Sequence, residues 1–364
     1  MITRVEVIAE NLLHNFSLLE KASLGKSQFP VLKSNAYGHG IKEVARILSI
    51  KKPPYFLVQN YAEAMQIQAA STVPVLVLGT PDIQDIAQNN TKGITFSISS
   101  LHLLKNLAEL KKPLNIHLCL NTGMNREGIN DVDIKDTIAL LENNHHLKCD
   151  GVWSHFADAD GLTDIHRSMQ EKKFSAMLDI LLQANIPCRW IHIGNSAGFL
   201  KTADPRINAF RAGMAGYGLD PVGTLPELRP TMRLISHITN IRDLQPGDSV
   251  GYSCTYTAPH SMSIGIVPVG YFEALDMRLS NTGCFSYIDP SSGIKTFLPI
   301  RGRISMNQTC FDTCNLPLKV GDEITVISST TADKNSIKNI AHTVATIPDE
   351  MLTRVNAEIP KIVI

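Results

Sequence analysis

Several polar residues in the first part of the chain each close or follow a short apolar run. Lys33 ends Phe29–Lys33, Arg126 follows Leu114–Leu120, and His155 ends Gly151–His155. Asn195-Ser196 follows Trp190–Ile193, and Arg211 ends Ile207–Arg211. A lysine amine attacks carbonyl carbon well when it is desolvated or stands near other cations, and Arg126 and Arg211 are candidates for those cations. Small residues let backbone N–H groups approach a phosphate closely. Ser196, Gly198 and the run Arg211-Ala212-Gly213-Met214-Ala215-Gly216 offer such a seat. One lysine or histidine at a strand end is more often solvated or structural. The convergence of all of them carries the reading.

Bringing these residues together needs a scaffold that aims strand ends at one place. The candidate strands are Phe29–Lys33, Tyr55–Gln59, Val73–Leu78, Ile94–Ile98, Leu114–Leu120, Gly151–His155, Trp190–Ile193 and Ile207–Arg211. Most are near-continuous apolar runs, as strands covered on both faces require. Between them, Ile41, Val44, Ala45 and Leu48 repeat at helical spacing, as do Phe174, Met177, Leu178 and Leu181. The alternation predicts an α/β chain whose N-terminal part is a (β/α)8 TIM-like barrel, in which chemistry collects at the C-terminal strand ends. An open doubly wound sheet competes, but no Gly-x-Gly-x-x-Gly turn follows the first strand. After Pro221 the rhythm changes to strands separated by turns, such as Thr296–Ile300 and Glu323–Ile327, with one helical stretch over Ile337–Ala345. We divide the chain into a cofactor-binding barrel over 11–224 and a mostly β C-terminal domain over 225–364, with residues 1–10 open to pairing with it.

On this scaffold, a nucleophilic lysine opposite a phosphate seat describes a pyridoxal 5′-phosphate site, and equally the lysine-plus-phosphate layout of sugar-phosphate aldolases. Composition narrows the partners. Lys+Arg and Asp+Glu both number 34, so no global field favours nucleic acid. No run approaches a membrane span, and the first residues lack the apolar core of a signal peptide. The 7 cysteines are scattered without a Cys-x-x-Cys pair, which points to reduced thiols in a cytoplasm and to no metal.

The segment Lys33-Ser34-Asn35-Ala36-Tyr37-Gly38-His39-Gly40 resembles the cofactor-lysine motif of bacterial alanine racemases, which have a barrel followed by a β domain. Further segments resemble the family in order. Asn121–Arg126 is similar to the stretch whose arginine lies near the cofactor's phenolic oxygen. Trp153–Ala157 resembles the stretch whose histidine packs on the cofactor ring, and Gly194–Ala197 resembles a phosphate-binding stretch. Arg211-x-Gly213 resembles the site of the arginine that faces the pyridine nitrogen. Gly251–Ala258 resembles the stretch bearing a second acid–base residue, and Val267–Tyr271 and Gly302–Gln308 resemble two more family segments.

The resemblance implies an amino-acid racemase acting on alanine by two-base proton transfer. Its bases are Lys33 on one face and Tyr252 of the partner subunit on the other, in a homodimer with shared active sites. It implies pyridoxal 5′-phosphate held by Lys33, Tyr37, Arg126, His155, Asn195, Ser196, Arg211, Gly213 and Met214. Arg126 and Met306 would touch the substrate, a small-molecule amino acid. The plainer readings are a core-packing Tyr252, a Tyr37 that covers the barrel mouth and a space-filling Met306.

Some positions depart from the family pattern. Cys119 stands where many members carry a lysine that can be carbamylated and orients the arginine, so Arg126 is held by an anion or another side chain, or is held less firmly. Asp349 stands where a tyrosine reaches the phosphate, so it must point away or weaken phosphate binding. Asn307 replaces an acidic residue, and Phe272–Leu275 lacks the usual Asp-Gly. A racemase of another or broader amino-acid range and a non-catalytic pyridoxal-phosphate binder are the alternatives.

Overall fold

The computed structural model describes residues 2–364. After β1 (Arg4–Val7) and the helix Ala9–Ala22, the apolar runs become parallel strands: β2 (Ser27–Pro30), β3 (Phe56–Val58), β4 (Val75–Val77), β5 (Ile94–Ile98), β6 (Leu114–Cys119), β7 (Leu147–Trp153), β8 (Trp190–His192) and β9 (Ala209–Ala212). They pair in the order β2-β9-β8-β7-β6-β5-β4-β3. Val31 bridges Leu57 in parallel, and Leu32 N donates to Leu57 O at 2.7 Å. That bridge joins β3 back to β2 and closes an eight-stranded barrel. Helices follow most strands, opened by side-chain caps such as Asn60 for Tyr61–Gln68 and Ser100 for Leu101–Glu109. Between β8 and β9 the chain makes turns instead of a helix among the described residues, consistent with Gly194, Asn195, Gly198 and Pro205 there.

Two boundaries differ from expectation in ways that matter. β2 stops at Pro30, so Lys33 lies beyond the strand and begins a left-handed turn. Arg211 lies inside β9 rather than at its end.

The barrel interior is not wholly aliphatic. His117 of β6 and His192 of β8 are fully buried. Phe29 stands edge-on to Tyr55 and to His192 at 5.4 and 5.1 Å, Tyr55 edge-on to His117 at 5.4 Å, and Trp153 stacks on His192 at 6.0 Å. Gly151 on β7 makes room for this layer. A Cβ there would meet three atoms of the His117 ring at 2.6 to 2.8 Å. Gly151→Ala is therefore expected to destabilise the protein by about 1–3 kcal/mol through overpacking, measured by urea unfolding.

The second compact unit comprises residues 2–12, Tyr37–Glu43 and Arg229–Ile364. Its six-stranded sheet runs Lys295–Pro299, Cys284–Ile288, Glu323–Ile327, Met232–His237, β1, Lys361–Val363. β1 pairs antiparallel with Met232–His237, Arg4 opposite Ile235. A three-stranded sheet (Asn240–Leu244, Met262–Val267, Thr309–Asp312), a two-stranded sheet (Ser249–Val250, Tyr256–Thr257) and the helices Ile337–Thr343 and Pro348–Thr353 also belong to it.

Candidate active site

Lys33 opens a left-handed turn in which Ser34, Asn35, Ala36 and Tyr37 all have φ between 52° and 55°. Left-handed backbone costs non-glycine residues roughly 1–2 kcal/mol each, so something must hold it. Glu63, on the helix after β3, does so with one carboxylate: Oε1 accepts from Ser34 N at 2.6 Å and from Asn35 N at 3.4 Å, while Oε2 accepts from Gln59 N at 2.8 Å. Ala36 N also donates to Leu32 O at 2.8 Å. The turn fixes the direction in which Lys33 leaves the barrel rim.

Arg211 is the buried hub of the barrel site. Nη1 is 2.9 Å from His192 Nδ1. Nη2 is 2.9 Å from His155 Nδ1 and donates to Ser154 O at 2.8 Å and Ile193 O at 3.0 Å. Its guanidinium lies 4.8 Å over the Trp153 ring, a cation–π contact. Burial, with Arg126 adding to it, pulls its pKa down to about 9, so it is still a cation at neutral pH.

Because a guanidinium only donates, it dictates the histidine tautomers. His155 and His192 each accept through Nδ1 and therefore carry their protons on Nε2. His192 Nε2 is 3.2 Å from His117 Nδ1, so it donates there, and His117 in turn keeps its proton on Nε2. Burial drives the pKa of all three far below the ordinary imidazole range, to about 3 for His117. For His155 the cations Arg211, Arg126 and Lys33 push further in the same direction. All three rings are neutral at pH 7.

A hydroxyl and backbone donors meet where the turns after β8 and β9 come together. Ser196 Oγ accepts from Gly213 N at 3.2 Å and Ala215 N at 3.3 Å, so two backbone donors and one hydroxyl converge at a point. Asn195 does not face that point with its amide oxygen, which accepts from Gly198 N at 2.9 Å and shapes the turn. Met214 starts the half-turn Met214–Tyr217 and is half-buried, while Tyr217 OH ties that half-turn to Val31 O at 2.8 Å.

The sequence matches the family described as alanine racemase, N-terminal domain, over residues 7–221 and the C-terminal domain over 231–363. It is 32% identical to alanine racemase of Streptococcus suis, over 99% of this chain and 97% of that one. The chain belongs to the alanine racemase family. The fold agrees: alanine racemase of Clostridium difficile superposes with a TM-score of 0.90 at 26% identity, over 100% of this chain and 96% of that one. An alanine racemase from Bacillus anthracis, solved with bound L-Ala-P, does so at 0.89 and 26%, over 100% and 95%.

In this alanine racemase homologue the departures at Cys119, Asn307 and Phe272–Leu275 have structural answers. Cys119 is buried, and burial holds its thiol protonated, so it supplies no charge to Arg126. Arg126, with 55% of its side chain exposed, instead pairs with its neighbour Glu127 at 3.3 Å. Asn307 and Glu273, two departures far apart in sequence, bond to each other: Asn307 Nδ2 donates to Glu273 Oε1 at 2.7 Å, while Glu273 Oε2 caps Gly270 N at 2.7 Å. Both belong to the second unit, as do the remaining expected site residues.

Tyr252 is 69% exposed on a tight turn, with Gly251 and Ser253 at φ 73° and 60°. Met306 is also exposed, and its carbonyl accepts from Phe272 N at 3.0 Å. Tyr37 is half-buried, its hydroxyl pushed to a higher pKa by burial and by Asp349. Residue types and spacing pointed to none of Glu63, His117, His192, Glu127 or Gln170. Gln170 is buried and bonds both His155 O at 2.8 Å and, through its oxygen, Ala157 N at 2.8 Å, fastening the loop that carries His155.

Proposed function

We propose that this protein interconverts L- and D-alanine with pyridoxal 5′-phosphate, as a cytoplasmic homodimer whose active sites take Tyr252 of the partner subunit. Membership of the alanine racemase family and the barrel site support the reading. The observation that carries it is that buried Arg211 meets His155 Nδ1 at 2.9 Å while Ser196 Oγ gathers the backbone N–H groups of Gly213 and Ala215 at 3.2 and 3.3 Å, an arrangement suited to an anionic cofactor.

The residues fit the cofactor. Ser196 Oγ with the N–H groups of Gly213 and Ala215 provides a preformed anion seat, shaped by Asn195 and Met214. The bound cofactor would supply an aldehyde for an amine and a ring that acidifies the substrate Cα–H. Arg211 offers only donors, so it keeps its proton and holds a pyridine nitrogen facing it unprotonated, which disfavours transamination. Arg126 would meet the substrate carboxylate, with Tyr37 and Met306 bordering the ligands. Lys33 would hold the proton on one side of Cα and the Tyr252 phenol on the other. His155 presents an Nε2–H, a donor of the polarity that lowers the pKa of a phenol.

Incubation with L-alanine and cofactor in deuterated water tests this, with D-alanine labelled at Cα as the expected product. Tyr252→Phe is expected to slow inversion by about 10²–10³-fold while retaining exchange of the α-proton in one enantiomer, because one base remains. An absence of exchange in the unsubstituted protein overturns the reading; equal slowing of exchange for both enantiomers in Tyr252→Phe overturns the two-base assignment.

A further inference from the structure

We infer that Gln170, on the helix Ile165–Gln183, is a positioning residue that holds Arg126 and His155 in one frame by tying the loop after β6 to the loop after β7. The inference rests on the proposed racemase reading, in which those two side chains meet the ligands.

Gln170 is 3% exposed, and its amide offers two hydrogens and an acceptor oxygen. Two different loops take them up. Nε2 donates to His155 O at 2.8 Å and to Thr122 Oγ1 at 3.3 Å, and Oε1 accepts from Ala157 N at 2.8 Å. The series continues beyond Thr122. Ser154 Oγ donates to Leu120 O at 2.7 Å, which uses its one hydrogen, so Thr122 Oγ1, 2.7 Å away, donates to Ser154 Oγ. Every hydrogen therefore runs one way, from Gln170 through Thr122 and Ser154 to Leu120. Ser154 also presents its carbonyl to Arg211 Nη2 at 2.8 Å, so the series ends against the buried hub. A flipped amide would set an oxygen against His155 O and an N–H against Ala157 N–H. The site accepts one orientation of this side chain.

Through Thr122 this order reaches Arg126. Asn121 braces the loop from within: its Oδ1 accepts from Gly123 N at 3.2 Å and Asn125 N at 3.1 Å, and its Nδ2 donates to Asn125 Oδ1 at 3.0 Å. A loop braced in this way moves as one piece. Gly123, at φ 139°, lies directly on the Gln170 stem, and a Cβ there would meet Gln170 Cγ at 3.3 Å. The Arg126 side chain is mostly exposed and pairs with Glu127 on its own loop, so its place over the barrel is the place of that loop. The next residue of the helix, Glu171, grips the loop after β8 instead. Its Oε1 accepts from Asp204 N at 2.9 Å, well along the chain from Ser196. The reach of Gln170 thus stops at the loops of Arg126 and His155 and leaves the anion seat alone.

The test compares the full chain with Gln170→Met, which keeps a stem of similar length and removes every hydrogen bond. Circular dichroism establishes that the variant is folded. Gln170→Glu is the second variant, keeping the acceptor for Ala157 N and losing both donors. Hydrogen exchange read by mass spectrometry is expected to quicken together in residues 120–127 and 154–158, with 199–205 unchanged. With cofactor bound, alanine kcat/KM is expected to fall roughly 10–100-fold, led by a rise in KM, because the group that meets the substrate carboxylate is misplaced. Titration of the apoprotein with pyridoxal 5′-phosphate, followed by absorbance, is expected to give a Kd within about threefold of the unsubstituted protein. A merely structural loss would move Kd and KM alike. The exchange result holds whether or not the unsubstituted protein racemises alanine, so a failure of that reading and a failure of this inference are told apart. The inference is overturned if the folded variants leave exchange in either loop unchanged, or if alanine KM stays within about twofold.

Discussion

Lys33→Ala is expected to lower alanine racemisation by roughly 10³-fold or more, because one side chain is asked both to hold the cofactor covalently and to carry a proton. The fold should survive the change. The left-handed turn that Lys33 opens is held through backbone N–H groups of Ser34 and Asn35 on Glu63, contacts that do not involve the lysine side chain. Chiral chromatography of the product gives the rate. Borohydride reduction followed by peptide mapping gives a second readout, with cofactor fixed to the Lys33 peptide in the unsubstituted protein and absent from the variant. A variant that turns over within about tenfold of the unsubstituted protein would sink the assignment, and so would cofactor trapped on another lysine.

The sequence made the barrel strands legible because they are buried on both faces, where an apolar run is needed. Ile94–Ile98 and Glu323–Ile327 were read to the residue. The turn at Lys33 was not legible. Four successive non-glycine residues at positive φ contradict local propensity and persist through Glu63, placed by a different helix. The histidine relay was hidden for a similar reason. Within the runs Leu114–Leu120 and Trp190–Ile193, His117 and His192 read as interruptions, and their meaning lies in contacts across the barrel, 75 residues apart for the pair. Arg211, inside β9, and His155, just beyond the end of β7, both lie near the C-terminal side of their strands, where topology alone says chemistry collects. Asn307 and Glu273 show the opposite case. Each looked like a separate loss from the family pattern, but side by side they form one hydrogen bond.

The buried relay has a thermodynamic consequence on the acid side. Below about pH 6.5 the unfolded chain protonates its histidines, whereas His117, His155 and His192 remain neutral in the fold because burial and neighbouring cations depress their pKa values. The unfolded state then binds more protons, so stability is fully present above pH 6.5 and falls as pH drops toward the folded pKa values. His117, with its folded pKa near 3, contributes about 1.4 kcal/mol per pH unit between pH 6 and 5, and His155 and His192 act in the same direction. Carboxylates held low by arginines, such as Asp204 by Arg206 and Asp276 by Arg278, lose their contribution only below about pH 4, outside this window. The chain's 2 tryptophans, Trp153 and Trp190, both lie on barrel strands. Urea unfolding followed by their fluorescence, at fixed protein and cofactor concentration, therefore reports on the barrel. His117→Asn keeps an acceptor for His192 Nε2–H but cannot titrate, so its slope should be shallower by about 1.4 kcal/mol per pH unit, whatever its absolute stability. Unchanged stability of the unsubstituted protein from pH 7 to 5 would mean that these rings take up protons without unfolding, and the tautomer chain set by Arg211 would then be wrong.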